Sequence, residues 1–245
     1  MRPDLNDANP TPLERQQVQV IDPAQVTFWH RVRFELVGRY LSAVGATQVL
    51  DVGAGSGQLG DWLLAAHPQV AYRFEERSPL LDERLTQRFG TARRSSPDAP
   101  IRADTVVAML DVIEHIEDDR AALIGLATRM EAGAHLVVTV PALAWAFSSW
   151  DTELGHHRRY SRRRLRAVLE AAGFTVERVD YLFPELLPLL PVRKLRRAPR
   201  DHVDFPQLGP AATRLGYAVS STTTKLRRLW PAGTSVVATA SLPGR

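Results

Sequence analysis

The chain has no cysteine among its 245 residues. Disulfide frameworks, thiolate nucleophiles and cysteine-based zinc sites are therefore excluded, and nothing in the composition asks for an oxidising compartment. Lysine is nearly missing as well. Lys194 and Lys225 are the only two among 31 basic residues, so basic recognition falls to arginine, which suits planar, bidentate contacts to phosphate or carboxylate. No apolar run approaches the ~20 residues a membrane span needs. The opening MRPDLNDANPTPLERQQ carries charge and proline where a secretory leader needs an apolar stretch. A cytoplasmic protein is expected, and no repeat or low-complexity segment suggests otherwise.

A 44% hydrophobic content suffices to bury a full core, which points to one α/β domain with decorations. The net charge of +4 hides a division. Residues 1–155 hold 14 basic and 21 acidic side chains, a balance of −7, whereas residues 156–245 hold 17 and 6, a balance of +11. Such asymmetry points to an anionic partner, or to nothing beyond a coding preference for arginine.

Residues 1–25 read as a polar tail. From Val26 to Leu41, apolar residues at Phe28, Val32, Leu36 and Tyr40 make one stripe of a helix. Strands and helices then alternate. Strands are predicted at Gln48–Val52, Val70–Phe74, Thr105–Leu110 and His135–Val140, and helices at Gln58–Ala66, Ser78–Phe89 and Asp118–Met130. Ser78 is an N-cap with Pro79 at the first helical position. Thr91–Arg102 leaves room for a short additional strand. Continuous apolar strands separated by helices mean a parallel sheet covered on both faces. After Pro141 the chain reads as loop or broken helix to Tyr160, then as a helix capped by Ser161 and a strand at Thr175–Tyr181. An insertion at about 182–233, rich in proline and arginine, precedes a last strand at Ser235–Ala240.

Two stretches carry chemistry. In VLDVGAGSG, Val49 to Gly57, a turn without side chains lets the backbone approach a ligand, and the following helix start offers free N–H groups. Gly55, Gly57 and Gly60 also satisfy the G-x-G-x-x-G of dinucleotide sites, so spacing leaves the nucleoside open. Asp51, two residues before the first glycine, favours a cationic ligand over a pyrophosphate. Glu75 and Glu76 end the second strand, from which an acidic side chain grips ribose hydroxyls. The second stretch is LGHHRRYS, Leu154 to Ser161, with two histidines, two arginines and a tyrosine in eight positions.

The run from Asp51 to Gly57 resembles motif I of class I S-adenosylmethionine-dependent methyltransferases. FEERSPLL, MLDVIEHIEDD, HLVVTVPA and LEAAGFTVERV follow in the order of that family. VPALAWAFSSWDTELGHHRRYS is similar to a bacterial subgroup with a G-H-x-R-R-Y stretch after strand five. Glu76 stands where an aspartate is common, and the segment before strand four is short. The resemblance implies a Rossmann-like, doubly wound, mostly parallel seven-stranded sheet with an antiparallel last strand. It implies S-adenosylmethionine as coenzyme, S-adenosylhomocysteine as product, and Asp51, Gly53, Ala54, Gly55, Gly57, Glu76, Leu110 and Asp111 as the coenzyme-binding residues. The acceptor side is then expected at Trp29, His157, Arg159 and Tyr160, with His156 or His115 as the proton acceptor and Asp151 as a further candidate. The insertion and the Phe28–Trp29 helix are expected to form a lid.

The expected reaction is methyl transfer to an oxygen or nitrogen of a small molecule: a metabolite, a saccharide or a lipid-linked intermediate. The alternative is an RNA methyltransferase or binder using the basic C-terminal region. Against it, LDVIEH stands where an Asn/Asp-Pro-Pro-aromatic stretch would serve a nucleic-acid base, and no stable nucleic-acid partner is expected. Asp111, Glu114, His115 and Asp118 are ligand types, but their spacing matches no hard-cation site, so no metal is expected. A monomer or homodimer is consistent with all of this.

Overall fold

The computed structural model describes residues 26–195 and 209–244. The predicted tail, residues 1–25, and residues 196–208 of the insertion lie outside them. Fourteen regular elements run as α1 (Phe28–Val44), β1 (Gln48–Val52), α2 (Gln58–Ala66), β2 (Ala71–Glu75), α3 (Pro79–Phe89), β3 (Thr105–Leu110), α4 (Asp119–Arg129), β4 (His135–Pro141), α5 (Ser149–Glu153), α6 (Arg162–Ala171), β5 (Thr175–Leu182), α7 (Leu190–Leu195), α8 (Pro210–Lys225) and β6 (Ser235–Ser241). Side chains at the predicted positions set the helix starts. Ser78, Asp118 and Ser161 each accept a backbone N–H of the first turn, at Leu81, Ala121 and Arg164.

The sheet has the order β2-β1-β3-β4-β6-β5. β2, β1, β3 and β4 run parallel, and β6 is antiparallel to both β4 and β5. The doubly wound, mostly parallel sheet with an antiparallel last strand is therefore present, with six strands instead of the expected seven. The missing strand is the one predicted within Thr91–Arg102. There a 3-10 turn at Thr91–Arg93 leads into a single parallel bridge, Phe74 to Arg94. Ser95 N–H donates to the Phe74 carbonyl, and pairing with β2 goes no further. Pro97 and Pro100, which have no N–H to give a ladder, follow within a few residues.

Successive strand residues divide between two cores. Val106, Ala108, Val137 and Val237 face a cluster with Val32, Val37 and Leu41 of α1 and Leu59 and Leu63 of α2. Val107, Met109, Leu136 and Val138 face the other, with Leu123 of α4 and Leu165 and Leu169 of α6. This period of two in a strand buried on both faces is why β3 and β4 read as continuous apolar runs. The predicted four-residue stripe of α1 buries Phe28, Val32 and Leu36. α8 closes over the same helix: Phe28 packs so tightly on Gly216 that a Cβ there would stand 2.8 Å from its ring. No helix of the described residues is long and apolar enough to cross a membrane.

Candidate active site

The parallel strands deliver their carboxyl ends to one edge, where ligands of open α/β sheets bind. Three non-glycine residues with left-handed backbone stand just past β3, β4 and β5: Asp111 (φ 56°), Leu143 (φ 67°) and Phe183 (φ 57°). Strain of this kind persists where surrounding contacts over-determine it. At Asp111 those contacts are visible. Its carboxylate meets the buried Arg33 guanidinium of α1 at 2.9 Å and accepts from the Thr139 hydroxyl at 3.1 Å.

The glycine loop after β1 takes positive φ at Gly53, Gly55 and Gly57. Gly53 also has no room for a side chain, because a Cβ would stand 2.9 Å from Val112 in the turn after β3. Gly53 N–H donates to the Glu75 carbonyl at 2.8 Å and Ala54 N–H to the same oxygen at 3.3 Å, which ties the loop to the end of β2. The two adjacent glutamates then part company. Glu75 is buried in an ion pair with Arg129 of α4, so its role is packing. Glu76 lies across the loop, accepting from Gly55 N–H at 2.8 Å and from Ser78 N–H at 2.9 Å.

Asp51 is buried at the end of β1, and the Tyr72 hydroxyl donates to it at 3.1 Å. Burial pushes its carboxyl up to about 7; the Tyr72 hydrogen bond opposes the rise and the Glu76 charge adds to it. Two carboxylates beside a bare backbone turn favour a ligand with a cationic end and a ribose diol, and disfavour a pyrophosphate. The residues present therefore fit S-adenosylmethionine. Leu110 and Asp111 border the same edge at the end of β3.

LGHHRRYS separates into a buried half and an accessible half. Arg159, 6% exposed, grips both oxygens of Asp151 at 2.7 and 3.0 Å and donates to the Ala142 carbonyl at 3.1 Å. Tyr160, 0% exposed, donates to Asp119 at 2.6 Å. Both of these expected acceptor contacts are buried and engaged with carboxylates of the protein. Arg158 holds the Ile116 carbonyl and Asp119, which fixes the turn that carries His115. His157 is exposed, and its backbone N–H donates to the Glu114 carbonyl at 2.8 Å.

His156 is 3.0 Å from the Asp151 carboxylate through Nδ1, and its ring meets that of His115 edge to face at 4.6 Å. Burial works against ionisation of Asp151, but the His156 and Arg159 hydrogen bonds outweigh it and hold the carboxyl near 2. Burial, reinforced by the His156 charge, lowers His115 to about 4, so it is neutral at physiological pH. The fold thus joins the two proton-acceptor candidates and Asp151 in one cluster.

Two further residues at this edge escape a reading of the sequence. Arg33 and His30 reach the Asp111 region from α1, and burial together with the Arg33 charge lowers His30 to about 4. Their signal is present in FWHRVRF, where polar residues three apart sit beside the buried stripe of a helix. Glu114, a ligand type whose burial the sequence did not show, is 0% exposed, and neither carboxylate oxygen has a partner among the described residues. Trp29 is half-buried and packs on Phe28 at 4.9 Å.

Comparison with known proteins bears on the family and the fold. The profile of the family described as "Methyltransferase domain" matches residues 28–179. No curated protein sequence matches the chain. Among solved structures, a chain of the complex between the Haloferax volcanii Trm112 methyltransferase activator and the putative methyltransferase aligns with TM-score 0.61 at 13% identity, over 97% of this chain and 100% of that one. A putative sarcosine dimethylglycine methyltransferase from Galdieria sulphuraria aligns with TM-score 0.56 at 14% identity, over 86% and 85%. Haemonchus contortus phosphoethanolamine N-methyltransferase 2 in complex with S-adenosyl-L-methionine aligns with TM-score 0.50 at 14% identity, over 81% of this chain and 49% of that one. At such identities the structures speak for the fold, and the profile, spanning more than half of the sequence, speaks for the family: the chain belongs to the methyltransferase-domain family and is an S-adenosylmethionine-dependent methyltransferase of the class I fold.

Proposed function

We propose that the protein methylates an oxygen or nitrogen of a small-molecule acceptor, a metabolite, a saccharide or a lipid-linked intermediate, held against the His115–His156 pair. The observation that carries the reading is the meeting of those two rings, 4.6 Å apart, at the strand edge that also presents Asp51 and Glu76. S-adenosylmethionine, when bound, would supply an electrophilic sulfonium methyl and leave as S-adenosylhomocysteine; His115 and His156 would orient the acceptor atom and lie on the side from which its proton leaves.

In this reading Gly53, Ala54, Gly55 and Gly57 bring backbone to the coenzyme, Asp51 faces its cationic end and Glu76 its ribose. Leu110 and Asp111 flank it, and Arg33 holds Asp111 in its left-handed conformation. Trp29 and His157 belong to the acceptor wall. Arg159 and Tyr160 act as positioning residues, because both are buried in contacts that steady Asp151 and the loop. α1 and the described part of the insertion expected at about 182–233, α8 included, serve as the lid. We place the chain in the bacterial subgroup with the G-H-x-R-R-Y stretch. The methyltransferase names of the Galdieria and Haemonchus neighbours, both for small amines, support a small acceptor.

Labelled S-adenosylmethionine offered with a panel of small alcohols, amines and saccharides, and with RNA as the competing class, tests the reading. Label transfer to RNA alone would overturn it. With the acceptor in hand, His156→Ala should lower kcat by about a hundredfold, within the usual range of proton-transfer catalysis, and leave coenzyme affinity intact. A loss confined to the acceptor KM would make His156 a binding residue.

A further inference from the structure

We propose that Glu114, His115 and His156 bind a divalent first-row transition cation. The inference rests on the reading of the histidine pair as the acceptor side of the site. Each of the three residues offers one ligand atom, and these atoms all lie within 4.8 Å of one another. They come from two separate loops, the 3-10 turn after β3 and the segment after α5, which only the fold brings together.

Three features point to a cation. First, Glu114 is 0% exposed and both of its oxygens lack a partner among the described residues. A buried carboxyl without a donor is costly, and a cation is the partner that satisfies both oxygens at once. Second, the imidazoles already have the outer contacts that ligating histidines need. His156 is held through Nδ1 by Asp151, itself clamped by Arg159, which leaves Nε2 free to ligate. His115 has backbone hydrogen-bond contacts at Leu154 and Gly155, in the loop that leads into His156. Third, two imidazoles and one carboxylate are the donor set that iron, manganese and zinc accept with coordination positions to spare, whereas calcium and magnesium prefer oxygen alone.

A cation at this place binds the acceptor oxygen at an open position and lowers the pKa of its hydroxyl. In the loaded protein, then, Nε2 of His156 is a ligand, and the acceptor proton leaves from the cation-bound hydroxyl to water. The histidine pair activates the acceptor by holding the cation.

The untagged full-length protein, stripped with EDTA and dialysed, is titrated calorimetrically with zinc alone and with manganese alone. One site per chain is expected. Glu114→Gln, which keeps the side-chain shape, and His115→Ala should each weaken binding at least tenfold, and Asp151→Asn should do so through His156. S-adenosylhomocysteine titrated into the same samples reports whether each variant is folded. Absence of one-site binding in the wild type overturns the proposal, as does an affinity unmoved by Glu114→Gln and His115→Ala in samples that still bind S-adenosylhomocysteine. The acceptor-side reading fails on a different result, undiminished turnover in His156→Ala, so the two failures are distinguishable.

Discussion

At Asp51, burial and ligand charge pull in opposite directions. In the folded protein the carboxyl holds its proton up to about 7, against 3.8 unperturbed, because burial penalises the charge. Between those values the folded state binds more protons than the unfolded one, so the contribution of Asp51 to stability falls as pH rises from about 4 to about 7, and is level beyond. Coenzyme binding runs the other way. A cationic coenzyme favours the carboxylate, and below about 7 its binding must displace a proton. Affinity for S-adenosylmethionine should therefore rise with pH, by about a hundredfold between pH 5 and pH 8 at the limit where only the carboxylate binds. Calorimetry across that range checks it: Asp51→Asn should bind weakly and lose the slope, and a wild-type slope of zero would separate Asp51 from the coenzyme. The places of Asp51, Gly55 and Glu76, at a strand end and a turn, were legible in the sequence because they are local. The burial of Arg159 and Tyr160 was not. In an irregular stretch no period marks the inward side, and their partners Asp151 and Asp119 are reached only through the fold.

The same contrast holds among the elements. Helix α1, the caps of α3, α4 and α6, and the buried strands β3 and β4 follow from periodicity and capping chemistry, which neighbouring residues determine. The strand expected in Thr91–Arg102 failed because pairing beside β2 depends on backbone donors, and Pro97 and Pro100 remove two of them. The sequence suggested that the insertion and α1 lie together, but the packing of α8, a helix of that insertion, on α1 through Gly216 and Phe28 was not readable, because the two are far apart in the chain. It bears on the site, because α1 carries Arg33 to Asp111. Gly216→Val would push a branched side chain into Phe28, 2.8 Å from where its Cβ would stand. Overpacking of that kind costs about 1–3 kcal/mol. We expect Gly216→Val to lower the melting temperature and weaken S-adenosylhomocysteine binding several-fold. Gly125→Val, on the exposed side of α4 with nothing within 4 Å, should leave binding unchanged. Equal effects from the two variants would detach the α1–α8 contact from coenzyme affinity.

For the whole molecule, the division of charge is the observation that still bears on the class of acceptor. The +11 balance of residues 156–245 invites a nucleic-acid reading from the sequence alone. The fold alters its weight. Arg158, Arg159 and Arg164 are paired with Asp119 and Asp151 of the acidic portion, Arg166 with Glu170, and Arg178 and Arg227 with Asp180. These guanidiniums are engaged within the protein, and a phosphate backbone would have to compete with their carboxylates for them. Binding to a polyanion releases counterions in proportion to the phosphates neutralised, so its salt dependence counts the basic groups available. Anisotropy of a labelled single-stranded RNA, titrated with the protein between about 50 and 200 mM salt, therefore reads the number of free contacts directly, at about 0.7 in slope for each phosphate. We expect a slope of no more than about 3 and affinity that vanishes toward the upper salt concentration, unaltered by S-adenosylhomocysteine. A slope above about 6 that persists with coenzyme bound would mean a continuous basic track on the surface, and would move the acceptor from a small molecule to an RNA strand.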